Sequence, residues 1–120
     1  ELCQGFFVKY GDGAVDLEPI SHLYKTQVYR LAERLGVIEE IVRRSPSPDT
    51  YSLPVTDKEF YFCMEYDLLD VLLYAYHHQT PHEDIRSATG LDLAKINRVF
   101  KWFKAKEEAT WHLRQLPPSL

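Results

Sequence analysis

The side chains best suited to chemistry gather near the start of the chain. Lys9-Tyr10-Gly11-Asp12-Gly13 is followed three residues later by Asp16. Glycines in a loop let backbone approach a ligand closely, a lysine supplies a compact positive charge for phosphate, and Asp16 can accept from ribose hydroxyls. A plain Gly-Asp-Gly turn accounts for the same residues with no ligand at all. Lys25 stands near an expected helix start, where the positive end of the dipole would reinforce an anion held by that lysine. A solvated surface lysine is the alternative. Ser47, between Pro46 and Pro48, can offer a hydroxyl and backbone groups to a phosphate, or be an ordinary loop serine.

Other chemistries find less footing. The histidines His22, His77, His78, His82 and His112 show no H-x-x-x-H or H-E-x-x-H spacing on one helix face. His78 and His82 are four apart, but Thr80-Pro81 interrupts the helix between them, which argues against zinc. Neither a G-x-S-x-G elbow nor a G-x-x-x-x-G-K-[ST] loop is present. Asp67 and Asp70 sit in an apolar helical run and are expected to form its polar rim.

These residues must be held by elements that the pattern foretells. Val15, Leu17 and Pro19 alternate with acidic residues, which predicts a short half-buried strand over 14–20, stopped by Pro19. Ser21 is the expected N-cap of a helix carrying Tyr24, Val28, Leu31 and Leu35 on one face, with Gly36 ending it. A second helix over 38–44 places Glu39 and Glu40 at its start and Arg43 and Arg44 at its end, as the dipole prefers. Residues 45–54 contain three prolines and are expected to run as an extended loop. Thr56 and Glu59 have capping-box spacing. Residues 66–76 are almost entirely apolar or aromatic, hence a largely buried helix. Thr80-Pro81-His82-Glu83 reads as a capping box with Pro at the first helical position, starting a helix that ends near Thr89-Gly90. Asp92 can cap the last helix, whose stripe is Leu93, Ile96, Phe100 and Phe103 and whose stop is Leu116-Pro117-Pro118. The residues alone therefore predict a mainly α-helical chain with one or two short strands.

At 120 residues, 45% hydrophobic and 27% charged, the chain has the composition of a globular domain with one core. Its formal charge of −4 argues against broad affinity for nucleic acid or anionic membrane. No apolar run approaches the roughly 20 residues of a membrane span, and no signal-peptide h-region is seen. Cys3 and Cys63 form no C-x-x-C pair, which suits reduced thiols and a cytoplasmic location. The chain opens on Glu1-Leu2-Cys3-Gln4, without Met, directly before a dense turn-rich stretch. Because termini are usually loose, this start is expected to be a cut within a longer protein.

The stretch from Gly5 to Ile20, followed by Leu23-Tyr24-Lys25-Thr26-Gln27-Val28, resembles the G-F-F-T-K-Y-G-D-G-x-x-D-x-x-P-L…L-x-K-x-Q-V block of NAD synthetases. Arg30-Leu31-Ala32, Leu35-Gly36-Val37, Glu40-Ile41 and Ser45-Pro46-Ser47-Pro48-Asp49 continue it in register. The resemblance is close to about residue 53 and general beyond His78. It implies an ATP-dependent ligase of NAD biosynthesis that amidates deamido-NAD through an adenylated intermediate. It also implies ATP and Mg²⁺ as cofactors, ammonia or glutamine-derived ammonia as nitrogen source, and a homodimer.

Carried over residue by residue, the resemblance assigns Glu1 to Mg²⁺, Lys9, Asp16 and His112 to deamido-NAD, and Lys25 and Ser47 to ATP. It names no catalytic side chain here. Near His112 the family often has His-Lys where this chain has His112-Leu113-Arg114, so Arg114 is a candidate substitute for that lysine. The fold implied for the whole enzyme is α/β, a Rossmann-like adenine nucleotide alpha hydrolase fold. Residues 1–120 would be the C-terminal part of the NAD synthase domain. The family's S-G-G-x-D-S phosphate loop is absent from these residues, so the N-terminal nucleotide-binding half is expected to lie elsewhere and this portion alone to be inactive. Two other readings stay open. Residues 80–110 can form a helix-turn-helix whose last helix carries Lys95, Arg98, Lys101, Lys104 and Lys106, a nucleic-acid-binding or adaptor module. A pseudoenzyme keeping the ligase residues as scaffold is the third.

Overall fold

The computed structural model describes residues 1–11, 15–48 and 52–116. The described residues include five α-helices: α1 (Lys25–Arg34), α2 (Glu39–Val42), α3 (Tyr66–His77), α4 (His82–Thr89) and α5 (Leu93–Ala109). Two 3₁₀ turns (Leu2–Gln4 and Trp111–Arg114) and a π-helical turn (Lys58–Phe62) accompany them. The chain divides into two compact units, Ile20–Tyr74 and the combination of Glu1–Pro19 with Ala75–Leu120.

In the Ile20–Tyr74 unit, α1 begins at Lys25 with Tyr24 as N-cap, three residues later than the Ser21 start. Two acceptors decide this. The Gln27 side chain takes the Tyr24 N–H at 2.8 Å, and the Asp70 carboxylate takes the Thr26 N–H at 2.8 Å. Thr26 N–H is one of the donors a helix start leaves without an intrahelical partner. Asp70 is only 7% exposed, so it is a buried cap on α1, not part of a polar rim; Asp67 does face solvent. At the other end Gly36 adopts φ +71°, with Gly36 N–H on the Glu33 carbonyl and Val37 N–H on the Ala32 carbonyl. This is the paired closure that a left-handed residue after a helix allows. α2 is shorter than expected, and Arg43 pairs with Glu39 one turn away. Thr56 and Glu59 form their reciprocal box, Glu59 N–H donating to Thr56 Oγ1 at 3.2 Å and Thr56 N–H to Glu59 Oε2 at 3.1 Å. The helix it opens is the π-helical turn. Leu69, Leu72 and Leu73 of α3 are buried at helical spacing, as is Phe62, whose ring meets Tyr66 edge-on. Each such leucine contributes about 1.5–3 kcal/mol by leaving water.

In the other unit, α4 packs against α5, burying Ile85, Ile96 and Phe103. Tyr76, Phe100 and Phe103 cluster with ring centroids 5.2–6.3 Å apart. The Asp92 side chain accepts Lys95 N–H at 2.7 Å, as its position before α5 foretold. Thr80 does not cap α4; Pro81 occupies the N-cap position without a side-chain bond, so the Thr80–Glu83 box is not made. α5 stops at Ala109 and turns into the Trp111–Arg114 segment, several residues before Leu116.

No strand is found among the described residues. Residues 15–20 run as exposed bends and turns, with Val15 53% and Leu17 77% exposed. Alternation marks a strand only when a neighbour pairs with its backbone, and these residues have no such ladder. Ala14 lies outside the described residues, as do Asp12 and Gly13.

Candidate functional site

Lys9 sits on a tight turn closed by Gly11 N–H donating to the Val8 carbonyl at 3.1 Å. Its ammonium donates to the His112 carbonyl at 2.8 Å and lies 5.7 Å from the Tyr10 ring centroid. Two residues 103 positions apart in the chain are thereby brought together. His112 is exposed on the Trp111–Arg114 turn, and it is its backbone carbonyl that meets the lysine.

The segment ahead of Lys9 is anchored on α5. Gln4 N–H and Phe6 N–H both donate to the Glu1 carbonyl at 3.1 Å, and the turn they close packs on α5. Gly5 follows at φ +70°. A Cβ at Gly5 would lie 2.2–2.5 Å from side-chain atoms of Thr110, so both backbone conformation and space demand glycine. Glu1 is exposed at the head of the turn. Among the described residues no group of three or more His, Cys, Asp or Glu could hold a metal ion unaided. An exposed carboxylate such as that of Glu1 does suit Mg²⁺, which keeps several waters and commonly takes one or two carboxylates together with substrate phosphates. Asp16 is exposed on a bend of the same unit.

Arg114, the candidate substitute for the family's lysine, is hydrogen-bonded within its own unit. Its guanidinium donates to Thr110 Oγ1 from both terminal nitrogens at 3.1 Å, to the Leu2 carbonyl at 3.4 Å and to the Glu107 carbonyl at 3.4 Å.

Lys25 and Ser47 belong to the Ile20–Tyr74 unit. Lys25 is the first residue of α1 and half-buried; Ser47 is exposed. The Ser47 loop is held where the Pro46 carbonyl accepts Asp57 N–H at 3.0 Å. Because Asp70 already takes the Thr26 N–H, an anion here would rely on the Lys25 ammonium more than on the helix end. Asp70 and Thr110 are the residues sequence reasoning misplaced or left unassigned. Asp70 betrayed itself only as an acid in an apolar run.

A family model described as NAD synthase matches residues 1–117. The chain belongs to the NAD synthase family. Three family members, each named NH(3)-dependent NAD(+) synthetase, show the extent of the likeness. That of Rhizobium meliloti (strain 1021) is 48% identical over 98% of this chain and 35% of its own length. That of Mesorhizobium japonicum is 46% identical over 98% of this chain and 37% of its own. That of Hyperthermus butylicus is 42% identical over 99% of this chain and 41% of its own. The chain thus spans well under half the length of the NAD synthase relatives it matches.

The helix-turn-helix reading gains no support from these comparisons. α4 and α5 do form consecutive helices around Gly90, but the cations of α5 are largely engaged on their own helix. Lys95 pairs with Asp92 at 3.4 Å, Lys104 with Glu108 at 3.8 Å, and Lys106 lies 3.7 Å from the Trp102 ring centroid. No helix among the described residues is long and apolar enough to cross a membrane.

Proposed function

We propose that this chain is the C-terminal part of an NAD synthase domain that amidates deamido-NAD with ammonia at the expense of ATP. The N-terminal nucleotide-binding half, with the S-G-G-x-D-S loop and the Rossmann-like sheet, belongs to the remainder of the protein. The whole enzyme is a cytoplasmic homodimer. The observation that supports the reading best is the Lys9–His112 link, which gathers two of the residues assigned to deamido-NAD from opposite ends of the chain.

In this reading the nicotinate carboxylate oxygen attacks the α-phosphorus of ATP, and the bond to pyrophosphate breaks. Ammonia then adds to the acyl carbon, the carbon–oxygen bond to AMP breaks, and a proton leaves the nitrogen. A carboxylate is a poor acyl donor until its oxygen becomes a good leaving group, which is what ATP provides. The residues of this chain offset the charge of the two polyanions. Lys9 and His112, with Asp16 on the ribose, hold the dinucleotide, while Lys25 and Ser47 hold ATP phosphates. Mg²⁺, taken by Glu1 together with the phosphates, supplies neutralising charge.

The test uses the full reading frame that contains this chain, with deamido-NAD, ATP, Mg²⁺ and ammonium. Lys9→Ala should raise KM for deamido-NAD at least tenfold, the effect of losing about 1.4 kcal/mol of charge-assisted binding, with KM for ATP little changed. Lys25→Ala should do the reverse. Equal effects of both variants on both substrates would refute the division of labour. Residues 1–120 alone should show no tight ATP binding by titration calorimetry; submicromolar affinity would overturn the assignment of the nucleotide half elsewhere.

A further inference from the structure

We infer that Arg114 is a positioning residue for the dinucleotide end of the site, an inference that rests on the ligase reading above. The Glu1–Gly11 segment has little means of holding its own shape. Gln4 is its one buried residue, and a segment this short loses much conformational entropy when ordered. Its local backbone bonds close two short turns, one at Glu1–Phe6 and one at Val8–Gly11. Residues 107–114 add three contacts that help to fix it. Gly5 lies against Thr110, Lys9 donates to the His112 carbonyl, and Arg114 reaches the Leu2 carbonyl.

Arginine suits this task because its donors form a planar fork. Both terminal nitrogens meet Thr110 Oγ1, which itself donates to the Lys106 carbonyl at 2.6 Å and is therefore locked to α5. One nitrogen goes on to Leu2 and the other to Glu107. The guanidinium thus fastens the N-terminal turn to the end of α5. That fixes where Glu1 and Lys9 are presented, without Arg114 touching substrate.

The experiment compares Arg114→Ala, Arg114→Lys, Thr110→Val and Thr110→Ser in the full-length protein. Backbone hydrogen exchange over residues 2–7 is the readout independent of activity. Arg114→Ala should speed exchange there by about fivefold, the scale of a partly exposed charge-assisted contact, with α4 unchanged. Arg114→Lys, lacking the fork, should recover only part of the protection. Thr110→Val should follow Arg114→Ala, and Thr110→Ser, which keeps the hydroxyl, should follow the parent. KM for deamido-NAD should rise several-fold in Arg114→Ala while KM for ATP holds, because Lys25 and Ser47 belong to the other unit.

Unchanged exchange in Arg114→Ala overturns the inference. So does a rise of both KM values together, which marks general loosening. A KM effect of Arg114→Ala without any from Thr110→Val would mean that Arg114 meets the dinucleotide directly, and also overturns it. A full-length parent with no synthetase activity would sink the ligase reading instead; the exchange data then decide alone whether Arg114 fastens the turn.

Discussion

Replacing Asp70 tests how the fold supports Lys25. Its carboxylate is 7% exposed and accepts the Thr26 N–H at 2.8 Å, at the positive end of α1. Asp70→Ala removes a charge-assisted bond and leaves a helix-start amide without its acceptor. A hydrogen bond to a charged group contributes about 1.5–3 kcal/mol, and helix caps measured by substitution lose about 0.5–2 kcal/mol. Because these describe the same interaction, they overlap instead of adding. The expected loss is about 2 kcal/mol, roughly a thirtyfold fall in the folded-to-unfolded ratio. Asp70→Asn keeps a carbonyl oxygen in place and gives up only the charge, so it should cost about half as much. Urea unfolding of the full-length protein measures both, and the Thr26 amide should exchange faster in the alanine variant. KM for ATP should rise in parallel, since the first turn of α1 carries Lys25. If Asp70→Asn were as damaging as Asp70→Ala, or if the alanine variant cost less than about 0.5 kcal/mol, the capping argument would be wrong.

Two further expectations follow from the other unit. The Tyr76 hydroxyl donates to Glu107 Oε2 at 2.9 Å, and burial, reinforced by the Glu107 carboxylate, pushes its pKa up to about 12. The raised value means that its stabilisation is complete below the ordinary tyrosine range near ~10 and is lost as pH climbs toward 12. Unfolding followed across that window should show a steeper decline for the parent than for Tyr76→Phe. Gly5→Ala should destabilise the first turn by more than about 1 kcal/mol, from the left-handed φ alone and with the Thr110 clash added. Exchange over residues 2–7 reports it, and parent-like protection would refute the clash.

Where local chemistry decides structure, the sequence was readable. Gly36 ends α1, Asp92 caps α5, Thr56 and Glu59 bond reciprocally, and the leucines of α3 are buried. Where a distant partner decides, it was not. Ser21 was an adequate cap by type, but Gln27 and the remote Asp70 carboxylate move the start of α1 to Lys25. Thr80 loses its capping role because Pro81 takes the N-cap position. The alternation of Val15 and Leu17 promised a strand, yet a strand exists only through its neighbour. For the site, the family motif named Lys9 and His112, and their juxtaposition depends on α5 and its closing turn, which no motif encodes. Arg114 was legible as a cation; its use as a fastener was not.

The fastening of residues 2 and 9 onto residues 112 and 114 also has a kinetic side. On the ribosome, the Glu1–Gly11 stretch emerges long before its acceptors. At about 5–20 residues per second, the intervening hundred residues take roughly 5–20 s to be made. Throughout that interval the lysine-bearing turn lacks its bond to the His112 carbonyl. The Lys9 turn of this unit is therefore fastened only once residues 110–114 have been made, and a chain interrupted just past Ala109 would carry all five α-helices yet lack the Lys9–His112 and Arg114–Leu2 bonds.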